Sequence, residues 1–138
     1  MTRKEGRTQT CGRPQAETRL AHARKFLEVA ELVATEMEIE ESASCAAALA
    51  VLAGIAASDA ACCAVLRRRA RGQDHLQAAD LLEQVEPGGQ PAASALRELI
   101  GLKDTAHYGL IHVTQPKLAS AIRRAKLLVG FAADSLRA

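Results

Sequence analysis

At 138 residues the chain has room for one hydrophobic core and not for two, and its formal charge of +2 is too small to point by itself to a nucleic acid or a membrane surface. Apolar residues make up 49% of the chain but aromatic ones only 2%, Phe26, Tyr108 and Phe131. The core therefore has to be built from Ala, Leu, Val and Ile, a composition that suits closely packed helices and an all-α fold.

Residues 1–14 are polar, basic and without period, and read as a disordered tail ahead of one helical-bundle domain over 15–138. Pro14 sits where a helix can begin. Leu20, Ala23, Leu27, Ala30, Val33 and Met37 then share one face of an amphipathic first helix. The acidic residues Glu36, Glu38, Glu40 and Glu41 end it and open the next.

From Ser42 to Leu66 the only charge is Asp59. Such a helix must be buried on nearly every side. Ala46, Ala50, Gly54, Ser58 and Cys62 recur every four positions, so they form one ridge without bulk along which another helix can approach closely. Ala46, Ala50, Gly54 and Ser58 are read as the seam of a homodimer. A carboxylate inside that segment is costly unless it is paired, so Asp59 is expected to be buried and satisfied, by Lys103 or by nearby backbone and hydroxyl groups. The segment is long enough to span a bilayer, but alanine inserts poorly and Asp59 would add roughly 2.5 to 3.5 kcal/mol near the bilayer centre. With no apolar stretch after the charged N-terminus, a soluble cytoplasmic protein without a membrane partner is expected.

Arg67, Arg68, Arg69 and Arg71 before Gly72 read as the cationic end of this helix. Asp74 caps a short third helix through Leu76, Ala79, Leu82 and Val85. Glu86 to Pro91 reads as a loop. Ala92 to about Ala106 is helical again, stacking Leu96, Leu99, Ile100 and Lys103, and the stretch from Tyr108-Gly109 to Val113 breaks it. Thr114 caps the last helix, whose stripe is Leu118, Ile122, Ala125, Leu128 or Val129, Ala132 and Leu136. No segment alternates with period two. The expectation is a compact bundle of four long helices and one short one.

Chemistry-bearing motifs are few. Gly88-Gly89 lacks the Lys and Ser/Thr of a phosphate loop, and neither GxSxG nor HExxH occurs. His22, His75, His107 and His112 are never four residues apart, so no helical zinc pair forms, and neither metal nor cofactor is expected. Cys11, Cys45, Cys62 and Cys63 show no CxxC spacing and read as inert small hydrophobes. The densest polar group is Lys103-Asp104-Thr105-Ala106-His107-Tyr108-Gly109. On a helix Lys103, Asp104 and His107 face one side, where Lys103 can hold a phosphate and His107 can move a proton near neutral pH. Read structurally, the same residues are a helix C-terminus, with Lys and His complementing the dipole and Gly109 making the exit.

The order of a small-residue second helix, a short third helix, a fourth helix ending in Leu102-Lys103-Asp104-Thr105-Ala106-His107-Tyr108-Gly109 and an amphipathic last helix resembles the HEPN superfamily over roughly residues 16–136. The resemblance implies a compact helical domain that pairs as a dimer. Family nucleases carry an Arg, a polar residue and a later His, and the motifs of both subunits face a shared cleft. Members occur in toxin–antitoxin and defence systems, often beside a small nucleotidyltransferase. Lys103 stands where the family's arginine belongs, Asp104 matches the polar position and His107 the histidine. Tyr108-Gly109 resembles an ending common in members without cleavage activity. The implied function is a HEPN-like dimer that binds, with a degenerate nuclease site, RNA or a nucleotide as ligand and a nucleotidyltransferase-type protein as partner. The alternatives are a metal-independent ribonuclease using Lys103, Asp104, His107 and Tyr108, and a structural helical interaction module.

Overall fold

A computed structural model describes residues 7–36, 40–72, 74–108 and 113–138, with the backbone alone for Glu40 and for residues 104–108. Among the described residues it contains five α-helices and two short strands: β1 (Thr8–Thr10), α1 (Arg13–Ala34), α2 (Glu40–Val65), β2 (Arg68–Ala70), α3 (His75–Leu82), α4 (Gly89–Tyr108) and α5 (Gln115–Arg137). Four helices are long and α3 has eight residues, so the all-α bundle anticipated from periodicity is present.

The helix starts follow local chemistry. Pro14 lies in the first turn of α1, where its missing N–H costs nothing, and the Gly12 N–H donates to Gln15 Oε1 at 2.9 Å. Asp74 accepts from the Leu76 N–H at 3.1 Å, and Thr114 Oγ1 accepts from the Lys117 N–H at 3.3 Å, so both anticipated caps form. The loop before α4 is shorter than its composition suggests. Glycine and proline at 89 and 91 lie inside the first helical turn, and the peptide bond before Pro87 is cis.

The centre of the bundle is α2, which touches α1, α3, α4, α5 and β2. Its length and apolar composition would suit a membrane span, yet most of it is covered by the other elements. Ala46, Ala50, Gly54 and Ser58 all lie inside the chain's own core. A Cβ added at Gly54 would meet Leu99 Cδ1 at 2.5 Å and Leu128 Cδ1 at 3.2 Å, so α4 and α5 have already filled the ridge at that position. This corrects the dimer reading of those four residues. Small residues admit any helix with bulk to offer, and the leucines of α4 and α5 supply it. A smaller apolar group at the other end of α2 joins Ala43, Ala46 and Ala47 to Val113 and Leu118.

Four further expectations change. The tail assigned to residues 1–14 is structured from residue 8 onward: β1 pairs antiparallel with β2 in the register Thr8↔Ala70, Gln9↔Arg69 and Thr10↔Arg68, and α1 starts at Arg13. The arginine cluster does not end α2. The helix stops at Val65, Arg67 takes the left-handed conformation at φ 62°, and its carbonyl accepts from the Cys11 N–H at 3.0 Å. Cys11 and Cys63 form a disulfide across 52 positions, so they are not inert hydrophobes. Periodicity carries no information about such a pairing. Leu76, placed on the apolar face of α3, is 52% exposed because α3 is too short to bury a full stripe. The break anticipated at Gly109–His112, and Met37 and Glu38, fall outside the described residues.

Candidate functional site

Asp59 lies on the C-terminal half of α2 and is 8% exposed. Its partner is Arg19 of α1, whose Nε and Nη2 each lie 3.1 Å from Asp59 Oδ2. Arg19 stands three residues after Ala16 and four before Ala23, both fully buried, so it belongs to the side of α1 that faces α2. Arg19 Nη1 also reaches His22 Nδ1 at 3.2 Å, which spends most of its donors. Burial holds the Asp59 carboxyl above its ordinary pKa, while Arg19, Arg69 and His75 pull it back down. Asp59 is thus buried and satisfied as anticipated, but by Arg19 rather than Lys103.

The neighbouring groups come from three other elements. Arg69 on β2 donates from Nη2 to Gln9 Oε1 at 3.1 Å, across the strand pair in which the two residues face each other. His75 opens α3 and is half-buried; burial and then Lys103 push its pKa below the ordinary value, against the opposing pull of Asp59 and Asp74. It is therefore a neutral imidazole at physiological pH. These side chains line a cleft of about 450 Å³ whose polar walls are Gln9, Arg19, Asp59, Arg69, Arg71, Asp74 and His75. The disulfide stands directly behind it, since Cys63 is one turn beyond Asp59 and Cys11 follows β1. Cys62, buried beside that bridge, is pushed up to about 12 by burial and by Asp59, which leaves a protonated, unreactive thiol.

No protein-family model matches the chain, and no curated protein matches it either.

The motif residues of α4 are placed only in part. Lys103 is half-buried and close enough to His75 to act on its charge. Asp104, His107 and Tyr108 continue α4 as helix, and their side chains lie outside the described residues. Two cations of α5 are paired away from this cleft. Arg124 contacts Ser120 and pairs with Glu98 at 3.4 Å, and Lys126 pairs with Glu31 at 3.5 Å. Arg97, not singled out by the sequence, clamps α4 to α3 through Asp80 at 2.8 Å and Glu83 at 2.6 Å. Among the described residues no group of three or more His, Cys, Asp or Glu side chains is placed to hold a metal ion.

Arg19, Gln9 and His75 are the cleft residues that pattern reading missed. For Arg19 a signal existed: an arginine flanked at helical spacing by two alanines of the apolar face, in a chain with one buried carboxylate to satisfy. For Gln9 and His75 there was none, because each acquires its role only when β1 folds back onto β2 and α3 packs beside α2.

Proposed function

We propose that the chain is a HEPN-like helical dimer that acts by binding, in a toxin–antitoxin or defence-type pair with a nucleotidyltransferase-type protein as partner. The observation that supports binding over cleavage is the continuity of α4, which runs as helix through Tyr108. Lys103, Asp104 and His107 consequently stand on consecutive turns of one rod. At about 1.5 Å of rise per residue, the Lys103 and His107 backbones are about 6 Å apart along the axis and held there by the helix ladder. A metal-independent nuclease has to surround a pentacovalent phosphate with preorganised cations and a proton donor. Lysine brings a single point charge where a guanidinium would bring a two-pronged grip.

A homodimer in this reading does not use the small-residue ridge. Its apolar contacts come from side chains left exposed, of which Leu32, Leu52, Leu76 and Leu127 are the largest. Light scattering at micromolar concentration reports whether it forms.

The deciding experiment incubates the purified protein with labelled single-stranded and structured RNA in EDTA. Binding without cleavage supports the proposal. Cleavage that survives chelation and disappears in His107→Ala replaces it with the metal-independent ribonuclease.

A further inference from the structure

The cleft beside Asp59 holds unspent positive charge. Arg19 is committed to Asp59 and His22, and Asp74 Oδ1 is committed to the α3 cap. Arg69 gives one nitrogen to Gln9. Arg71, on the exposed edge of the same cleft, has no side-chain partner among the described residues. Arg69 lies on β2 and Arg71 just beyond its end, where the Arg71 N–H donates to the Arg7 carbonyl at 2.8 Å, and both side chains line the cleft. His75, held neutral, adds one N–H donor without charge.

We infer that this cleft is a binding site for a phosphate monoester, with Arg69 and Arg71 clasping the phosphate oxygens, His75 donating to a third, and the Arg19–Asp59 pair forming a fixed floor. The cleft sets three guanidiniums, Arg19, Arg69 and Arg71, against two carboxylates, Asp59 and Asp74, and this surplus of positive charge together with the planar forks of Arg69 and Arg71 suits a tetrahedral oxyanion. Gln9 orients Arg69 before any ligand arrives, which lowers the ordering cost of binding. The volume of about 450 Å³ exceeds a bare phosphate and leaves room for the sugar or chain that carries it. Among the described residues no Phe, Tyr or Trp lines the cleft, so recognition falls on the phosphate and not on a stacked base. The inference stands on the cleft alone and does not need the family reading.

The test is a titration of the full chain, followed by backbone and histidine NMR, with inorganic phosphate, ribose 5-phosphate, dimethyl phosphate and acetate. The two monoester-type probes should saturate below about 10 mM and shift Gln9, Arg69, Arg71 and His75, whereas the diester and acetate should bind weakly or not at all. Bound dianion should also raise the titration midpoint of the His75 ring. Arg71→Gln, an exposed change that leaves the Gln9 contact intact, should weaken phosphate binding by about tenfold, and Arg69→Gln by at least as much. Arg124→Gln, on the groove between α4 and α5, should leave it unchanged. Shifts that map to the Arg124 groove, equal response to acetate, undiminished binding in the Arg69→Gln/Arg71→Gln double variant, or no saturable response would each overturn the inference.

Discussion

Two neighbouring stretches of α2 solve the same burial problem with different chemistry. Around Gly54 the helix is enclosed by hydrocarbon: Leu96, Leu99 and Leu128 approach until no room remains for a single added methyl group. Around Asp59, little more than one turn further on, it is enclosed by a guanidinium, a strand pair and a disulfide. The first region is held by close packing of residues whose only requirement is shape. The second is held by specific long-range partners, 40 positions apart for Arg19–Asp59 and 52 for the disulfide. Shape-based packing tolerates substitution of similar volume, whereas paired groups fail when either member is removed. The polar end is therefore the less forgiving one, and it is where a cleft with unspent charge remains open.

The largest effect separating the regions should come from the disulfide. Closing a loop of this length removes conformational entropy from the unfolded chain, so Cys11→Ser should cost about 4 kcal/mol. The loss should appear as a fall in the denaturant midpoint and as early exchange of the β1 and β2 amides, with the α4 and α5 amides around Gly54 protected until global unfolding. Cys11 and Cys63 are both buried, so a thiol reductant should act only after local opening at this end. Simultaneous exchange of both regions after reduction would erase the distinction drawn between them.

Next in size is Gly54→Leu, which drives a bulky side chain into three leucines and should cost about 3 kcal/mol by overpacking. Gly54→Ala should come out near zero, because a helix-propensity gain of about 1 kcal/mol opposes the crowding against Leu99 and Leu128. Both are read by urea unfolding, and neither should alter the Gln9–Arg69 strand pair.

The smallest effect is that of pH, and it belongs to the polar end. His75 has a folded pKa below its ordinary 6.5, so between those two values the unfolded chain binds more protons than the folded one. Stability contributed by His75 is thus present above about 6.5 and lost as pH falls toward the depressed value. Asp59 works in the opposite sense: its folded pKa is raised, so between its ordinary and folded values stability falls as pH rises. His75→Gln should flatten the melting temperature profile on the acid side of 6.5, where the wild type declines. An unchanged profile would show that His75 is not held neutral by its surroundings.

These regions also differ in how far the sequence discloses them. The four-residue repeat through Ala46, Ala50, Gly54 and Ser58, and the stripes of α1 and α5, are written in short-range spacing, so helix number and buried faces were legible. What fills the ridge was not, since a small-residue face accepts leucines of its own chain as readily as a second copy. The strand pair was invisible because three residues cannot display an alternation. The arginine run read as a helix end because cations suit that position, yet Arg67 turns left-handed and its successors extend. Asp59 announced itself as an isolated charge in an apolar helix. Its partner did not, because choosing Arg19 over Lys103 requires knowing which faces of α1 and α4 meet α2.

That choice is open to direct measurement by a double-mutant cycle on unfolding free energy. Arg19→Ala and Asp59→Ala should each destabilise, and together they should show a coupling of about 1–3 kcal/mol, because either change alone strands the other charge at a half-buried site. Lys103→Ala combined with Asp59→Ala should be additive within about 0.5 kcal/mol. Additivity of the Arg19 and Asp59 changes, or a larger coupling of Asp59 to Lys103, would contradict the arrangement of the polar end on which this account rests.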